Sequence, residues 1–196
     1  ALVASMAHMQ AGALPPGEGR DALVGFQRRV SAIAQVHRRL YTSEDVSHVA
    51  LEQYLAGLVD ELHQSLGGEG CTVERIRLAA EPATVPTDHA VSIGVIVSEL
   101  VTNACKYAYR DLPPGDVDVV LRMAGAGEAE LSVADRGAGL DASPAQGTGL
   151  GARVVQSMAR ALGGRLEHPP VERGTRAVLT FPVVADPDAA PAGGAA

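Results

Sequence analysis

Three short stretches hold residues whose types and spacing could do chemistry. The first is SELVTNACKYAY at residues 98–109. On a helix turning 100° per residue, Glu99, Asn103 and Lys106 fall within roughly 60° of one another. A carboxylate, an amide oxygen and an ammonium on one stripe suit a Mg²⁺–phosphate site: the oxygens are hard ligands, and the lysine is a point charge for phosphate. The second stretch ends a run of alternating residues at Asp135 and continues Arg136-Gly137-Ala138-Gly139. Spaced glycines let a backbone approach a flat ligand, and the carboxylate can accept a hydrogen bond from an exocyclic amine such as that of adenine. The third is Gly147-Thr148-Gly149-Leu150-Gly151 at the opening of a helix, where free backbone N–H groups can cradle phosphate. No Gly-Lys-Ser/Thr follows, so it is not a Walker loop, and no strand leads into it as in a dinucleotide fingerprint. Taken singly, each stretch also fits ordinary structure: a solvated helix face, a turn that needs glycine, a loop that caps a helix.

The elements that must position these residues can be read from periodicity. Residues 71–79 (CTVERIRLA), 116–122 and 130–135 alternate apolar and polar as half-buried strands do. A long helix is expected over about 87–108, a glycine-rich loop over 136–147, and a helix from there to about Leu162. GRLEH and TRAVLTFPV supply two closing strands. Upstream, residues 1–66 read as all helical: Leu23, Phe26, Val30, Ile33, His37 and Leu40 form an a/d seam, and Leu51, Leu55, Leu58 and Leu62 form a second apolar stripe that stops at Gly67-Gly68. Leu2, Val3, Met6 and Met9 already follow helical spacing, so the sequence is expected to start inside a helix with more chain upstream. The final ADPDAAPAGGAA, residues 185–196, is expected to be a disordered tail.

Composition narrows the class. The chain has 196 residues, 46% hydrophobic and 20% charged, enough for a sizeable core built from Leu, Val, Ile and Ala because aromatics are only 3%. Sixteen basic against 23 acidic residues give a net charge of −7, which argues against a general nucleic-acid binder. No apolar run approaches the ~20 residues of a membrane span, and no secretory signal is visible. Cys71 and Cys105 make no metal-ligand pattern, and neither a disulfide scaffold nor a structural zinc site is expected. A cytoplasmic location and an α+β fold with a helical appendage follow.

In this order and spacing the three stretches resemble the ATP-binding domain shared by sensor histidine kinases, Hsp90, type II topoisomerases and MutL. ELVTNACKYAY looks like the N box, DRGAG the G1 box and GTGLG the G2 box. Gly174-Thr175 looks like the family's final Gly-Thr, whose hydroxyl joins the adenine-binding network. The resemblance implies a Bergerat-type α/β sandwich, a mixed sheet with helices packed on one face, over residues 67–184. It implies ATP and Mg²⁺ as cofactors: Asn103 would hold the metal, Glu99 would serve as the catalytic base, and Lys106, Tyr107, Asp135, Gly137, Gly139, Gly147, Gly149, Leu150, Gly151 and Thr175 would bind nucleotide. The segment between the G1 and G2 boxes is short and has no aromatic F box, as in members of the class with an abbreviated lid.

Residues 28–62, with VHRRLY at 36–41, are similar to the dimerisation region of the HisKA_2 class of bacterial histidine kinases. The family's H box, of the form His-Arg-Val-Lys-Asn-Asn, is absent. None of the six histidines sits in a matching context, so the phospho-acceptor is expected upstream of Ala1. On this resemblance residues 1–66 form a helical dimerisation segment and the partners are a second copy of the chain and a response-regulator receiver domain. Three other readings stay open: a histidine phosphotransferase with a degenerate ATP-binding domain, an anti-sigma-factor type serine kinase, and a dimerisation scaffold that binds ATP without using it.

Overall fold

The computed structural model describes residues 47–66, 71–125, 127–139 and 150–184, with a few isolated positions between 9 and 23. The a/d seam beyond Leu23, His8 and His37, and the tail from 185 onward lie outside the described residues.

Five strands form the main sheet in the order β2-β4-β5-β7-β6: β2 (Val73–Ala80), β4 (Gly115–Gly125), β5 (Glu128–Asp135), β6 (Arg165–Glu167) and β7 (Thr175–Pro182). β2 runs parallel to β4, and every other pairing is antiparallel. Because side chains alternate across a strand, one face collects Val117, Val119 and Leu121 from β4, Ala129, Leu131 and Val133 from β5, and Ala177, Leu179 and Phe181 from β7, all buried. Three helices cover that face: α1 (Leu51–Leu66), α2 (Thr87–Asn103) and α3 (Leu150–Ala161). The fold is thus α+β with a mixed sheet and a one-sided helical layer.

α1 carries its stripe of Leu51, Leu55 and Leu58 into the same core as the sheet, at 0%, 0% and 4% exposure, with Leu62 packed at its edge. The expectation that residues 1–66 are helical throughout fails just before it. His48–Ala50 form a short strand, β1, paired antiparallel with β3 (Thr84–Pro86) through Val49↔Val85. Three residues are too few to show a period. What makes them a strand is a distant partner, and the Leu51 N–H donating to the Ala83 carbonyl at 2.8 Å fixes the entry to α1.

Two further differences concern the helix that carries the first candidate stretch. It is α-helical only to Asn103; Ala104–Ala108 form a wider π-helical turn. And the two cysteines, for which no disulfide scaffold was expected, form a disulfide, Cys71–Cys105, with a Cα–Cα distance of 4.6 Å. They lie 34 residues apart in sequence, and only the packing of the start of β2 against the π-turn brings them together.

Candidate nucleotide-binding site

β5 ends at Asp135, the last of its inward-facing residues, beside Val117 of β4 and Thr175 of β7. Its position in the alternation carries the carboxyl to the helix-covered face, where the residue is only 9% exposed. Burial raises its pKa above the ordinary 3.8, opposed by hydrogen bonds from the Gly137 N–H and from the backbone and hydroxyl of Thr175. The Gly137 N–H donates to Oδ1 at 2.8 Å. A buried carboxyl held by local N–H and O–H donors is a fixed acceptor, suited to reading a donor on a ligand.

Two glycines make this corner buildable. At Gly137 a side chain would run into the carbonyl of Ala108, the last residue of the π-turn, and the next N–H, of Ala138, donates to that same carbonyl at 2.8 Å. Gly174 adopts φ +80°, and a Cβ there would strike the backbone of Asp135 and Arg136. The loop before β7 can therefore press against the end of β5, so that Thr175 reaches the carboxylate. Gly139 lies beside Gly174 in the same corner.

Sequence reasoning missed Tyr109. Its ring, 4% exposed, packs over Gly115. Its hydroxyl donates to the Asp116 carbonyl at 2.7 Å and accepts from the Arg136 N–H at 3.0 Å. Burial raises its pKa, offset by the hydrogen bond from Arg136 and reinforced by the charges of Asp135, Asp116 and Asp118. The hydroxyl and the Ala108 carbonyl thus clip residues 136–138 onto the π-turn. The one sequence signal was an aromatic closing the YAY triplet in a chain with few aromatics.

Of the helix residues, Glu99 lies against the start of α3. Glu99 is half-buried, and its Oε2 lies 3.0 Å from where a Cβ on Gly151 would sit. Asn103, one turn later, and Lys106 on the π-turn are exposed; Tyr107 is half-buried. π-turns within α-helices recur at functional sites, and this one begins right after Asn103. Gly147 and Gly149 lie outside the described residues, and Leu150 opens α3. The structure therefore brings Glu99 to Gly151, and Asp135 to Gly137 and Thr175. Among the described residues no three His, Cys, Asp or Glu side chains gather as a self-sufficient metal cage. Glu99 and Asn103 do offer a carboxylate and an amide oxygen one turn apart. That donor set fits Mg²⁺, which is typically held by one or two protein oxygens plus the phosphates of its ligand. A groove of about 330 Å³ lies on the opposite, open face of the sheet, lined by Arg122, Glu130, Ser132 and Arg176; alternation directs the Asp135 carboxyl away from it.

A helical layer on one face of a mixed sheet, with a buried carboxylate at a strand end and glycines behind it, defines an ATPase domain of the kind that residues 88–185 match by family model: the histidine kinase-, DNA gyrase B- and HSP90-like ATPases. Residues 1–66 match the histidine kinase family HisKA_2. The sensor histidine kinase PdtaS of Mycobacterium tuberculosis is 30% identical over 186 residues, covering 92% of this chain and 36% of that protein. Blue-light-activated histidine kinase 2 of Erythrobacter litoralis is 27% identical over 195 residues, covering 93% and 53%. Among solved structures, the histidine kinase domain of the E. litoralis EL346 blue-light activated histidine kinase superposes with a TM-score of 0.67 at 22% identity, covering 91% of this chain and 83% of that one. A second structure, of the E. litoralis EL346 blue-light activated histidine kinase, gives a TM-score of 0.66 at 25% identity, covering 83% and 54%. The chain belongs to the histidine kinase family, joining a HisKA_2 segment to a histidine kinase-type ATPase domain. It spans 36% to 53% of the length of these two curated relatives.

Proposed function

We propose that this chain is the ATP-binding kinase core of a two-component sensor histidine kinase. In this reading it passes the γ-phosphoryl group of ATP to a histidine, from which it goes to an aspartate on a response-regulator receiver domain. The observation that carries the reading is the Asp135 carboxylate, 9% exposed and held by the Gly137 N–H, with Thr175 at its side. In this reading the carboxylate would accept from the exocyclic amine of adenine.

Asn103 would hold Mg²⁺; bound there, the ion would neutralise charge on the phosphates. Lys106 and the first N–H groups of α3, with Gly147 and Gly149 of the preceding loop, would position the phosphates, flanked by Tyr107 and Leu150. Glu99 would take the proton from the attacking imidazole. Little covalent work is asked of the protein, since phosphoryl transfer relies chiefly on positioning and charge stabilisation. Residues 1–196 contain no H box, so the acceptor histidine would come from outside this stretch. The helical segment would pair with a second copy of the chain. Among the described residues no helix is long and apolar enough to cross a membrane, and the kinase core would work in the cytoplasm.

Asn103→Asp tests the assignment. Asn103 is exposed, so thermal unfolding should not change, while the added negative charge facing the phosphates weakens Mg²⁺-dependent ATP binding about tenfold, or ~1.4 kcal/mol. Unaltered Mg²⁺-dependent binding would remove Asn103 from the site.

A further inference from the structure

The Cys71–Cys105 bond ties two segments of unequal burial. Cys105 is 2% exposed and sits in the π-turn, two residues after Asn103 and directly before Lys106. Cys71 is half-buried, two residues before β2, on the far side of residues 67–70 from α1. Among the described residues, the hydrogen bonds that join Thr72 to the π-turn are long. The Thr72 N–H and hydroxyl both donate to the Cys105 carbonyl, each at the long distance of 3.4 Å. β2 is an edge strand, and its pairing with β4 is irregular between Val73 and Ile76, the end nearest Cys71. The covalent bond therefore backs a corner whose described backbone hydrogen bonds are long and whose strand pairing is irregular.

From the π-turn the contacts run on into the candidate site. Ala108 accepts from the Ala138 N–H at 2.8 Å, and the Tyr109 hydroxyl accepts from the Arg136 N–H at 3.0 Å. Both grip the backbone beside Asp135. The ring of Tyr109 rests on Gly115, which pairs with Val73 of β2. A change at Cys71–Cys105 thus acts on the π-turn that ends in these grips and on the β2 pairing beneath Tyr109.

We propose that Cys71 and Cys105 form a reversible redox site whose state sets the order, and so the affinity, of the nucleotide site. The proposal rests on the ATP-binding reading given above. The half-exposed Cys71 is the sulfur that an outside reagent reaches, and the buried Cys105 closes the bond. The oxidant is a low-molecular-weight disulfide. The Cys71 sulfur, giving up its proton, attacks one sulfur of this disulfide and expels the other half as a thiol. The Cys105 sulfur, giving up its proton, then attacks the Cys71 sulfur of the mixed disulfide and expels the second half as a thiol. Two cysteine thiols are oxidised, and one small disulfide is reduced to two thiols. An excess of small thiol runs the sequence backward. Disulfides in a reducing cytosol are usually transient, catalytic or redox-sensing, which suits the location proposed above.

The test equilibrates the whole chain with oxidised or with reduced glutathione and scores the bond by alkylation and mass. Amide hydrogen exchange and Mg–ATP calorimetry are then run on each form and on Cys71→Ser, which cannot close the bond. The expected result is faster exchange over residues 103–109 and 136–138 on reduction, with the centres of β5 and β7 unchanged. Mg–ATP affinity should fall about fivefold or more, the lower range of measured site-to-site couplings, and Cys71→Ser should match the reduced form in either buffer. Failure to form the bond under oxidised glutathione, equal exchange in both forms, or equal Mg–ATP affinity in both would overturn the proposal. Redox-dependent exchange in a chain that binds Mg–ATP in neither form would keep the redox control of the corner's order and instead overturn the nucleotide reading.

Discussion

Gly137→Ala is the substitution whose cost the structure lets one work out most directly. The new methyl would meet the carbonyl of Ala108. Because the obstacle is backbone, no rotamer change relieves the overlap, and either residues 136–138 or the π-turn must move. Overpacking of this kind costs about 1–3 kcal/mol. The displacement also strains the hydrogen bonds from Ala138 to Ala108 and from Arg136 to Tyr109, each worth about 1 kcal/mol. The sum is about 3–5 kcal/mol, which for a chain of this size lowers the melting temperature by roughly 6–20 °C. Gly127→Ala is the control. Gly127 also has positive φ, at +84°, but nothing lies within 4 Å of its added methyl, so it carries only the backbone penalty of about 1 kcal/mol. Thermal unfolding by circular dichroism on both variants reads the difference. If Gly137→Ala melts no lower than Gly127→Ala, the clip between the π-turn and residues 136–138 is not what holds the corner together.

Two further outcomes follow from burial. Leu55, 0% exposed on α1, should cost about 2–5 kcal/mol as Leu55→Ala and lower the melting of the sheet domain as one transition; a loss confined to a separate transition would show that α1 is not part of that core. Asp135 has a folded-state pKa raised by burial, so the folded chain binds its proton more tightly than the unfolded chain. Its contribution to stability therefore falls as pH rises from about 3.8 through the folded pKa. Asp135→Asn removes that decline, so urea midpoints of the variant should gain on the parent as pH rises through this window. A parent that gains on the variant instead would mean that the hydrogen bonds from Gly137 and Thr175 outweigh desolvation.

Much of the fold was legible because it rests on local periods. The alternation through Leu131, Val133 and Asp135 foretold both the strand and the end at which the carboxyl sits. The four-leucine stripe of α1 foretold a buried face. The candidate site was legible where close approach demands a residue type: Gly137, Gly174 and Thr175 stand where the backbone leaves no room or where a hydroxyl must reach Asp135. What escaped was whatever depends on distant segments meeting. β1 needs Thr84–Pro86 to exist as a strand. The Cys71–Cys105 bond spans 34 residues and no local pattern signals it. Tyr109 acts through backbone groups of Asp116 and Arg136, and a hydroxyl's partners are invisible in spacing. The π-turn at Ala104–Ala108 also escaped, since α-helical and π-helical turns of five residues present much the same apolar pattern.

The central claim, a working nucleotide site around Asp135, is tested most directly by calorimetry of ATP with and without Mg²⁺ on this chain and on Asp135→Asn. The account predicts Mg²⁺-dependent binding by the parent chain. In the variant, loss of a charged acceptor worth about 1.5–3 kcal/mol weakens binding by roughly ten- to 150-fold, while the variant stays folded. Equal binding by both, or no binding by a folded parent chain, would contradict it.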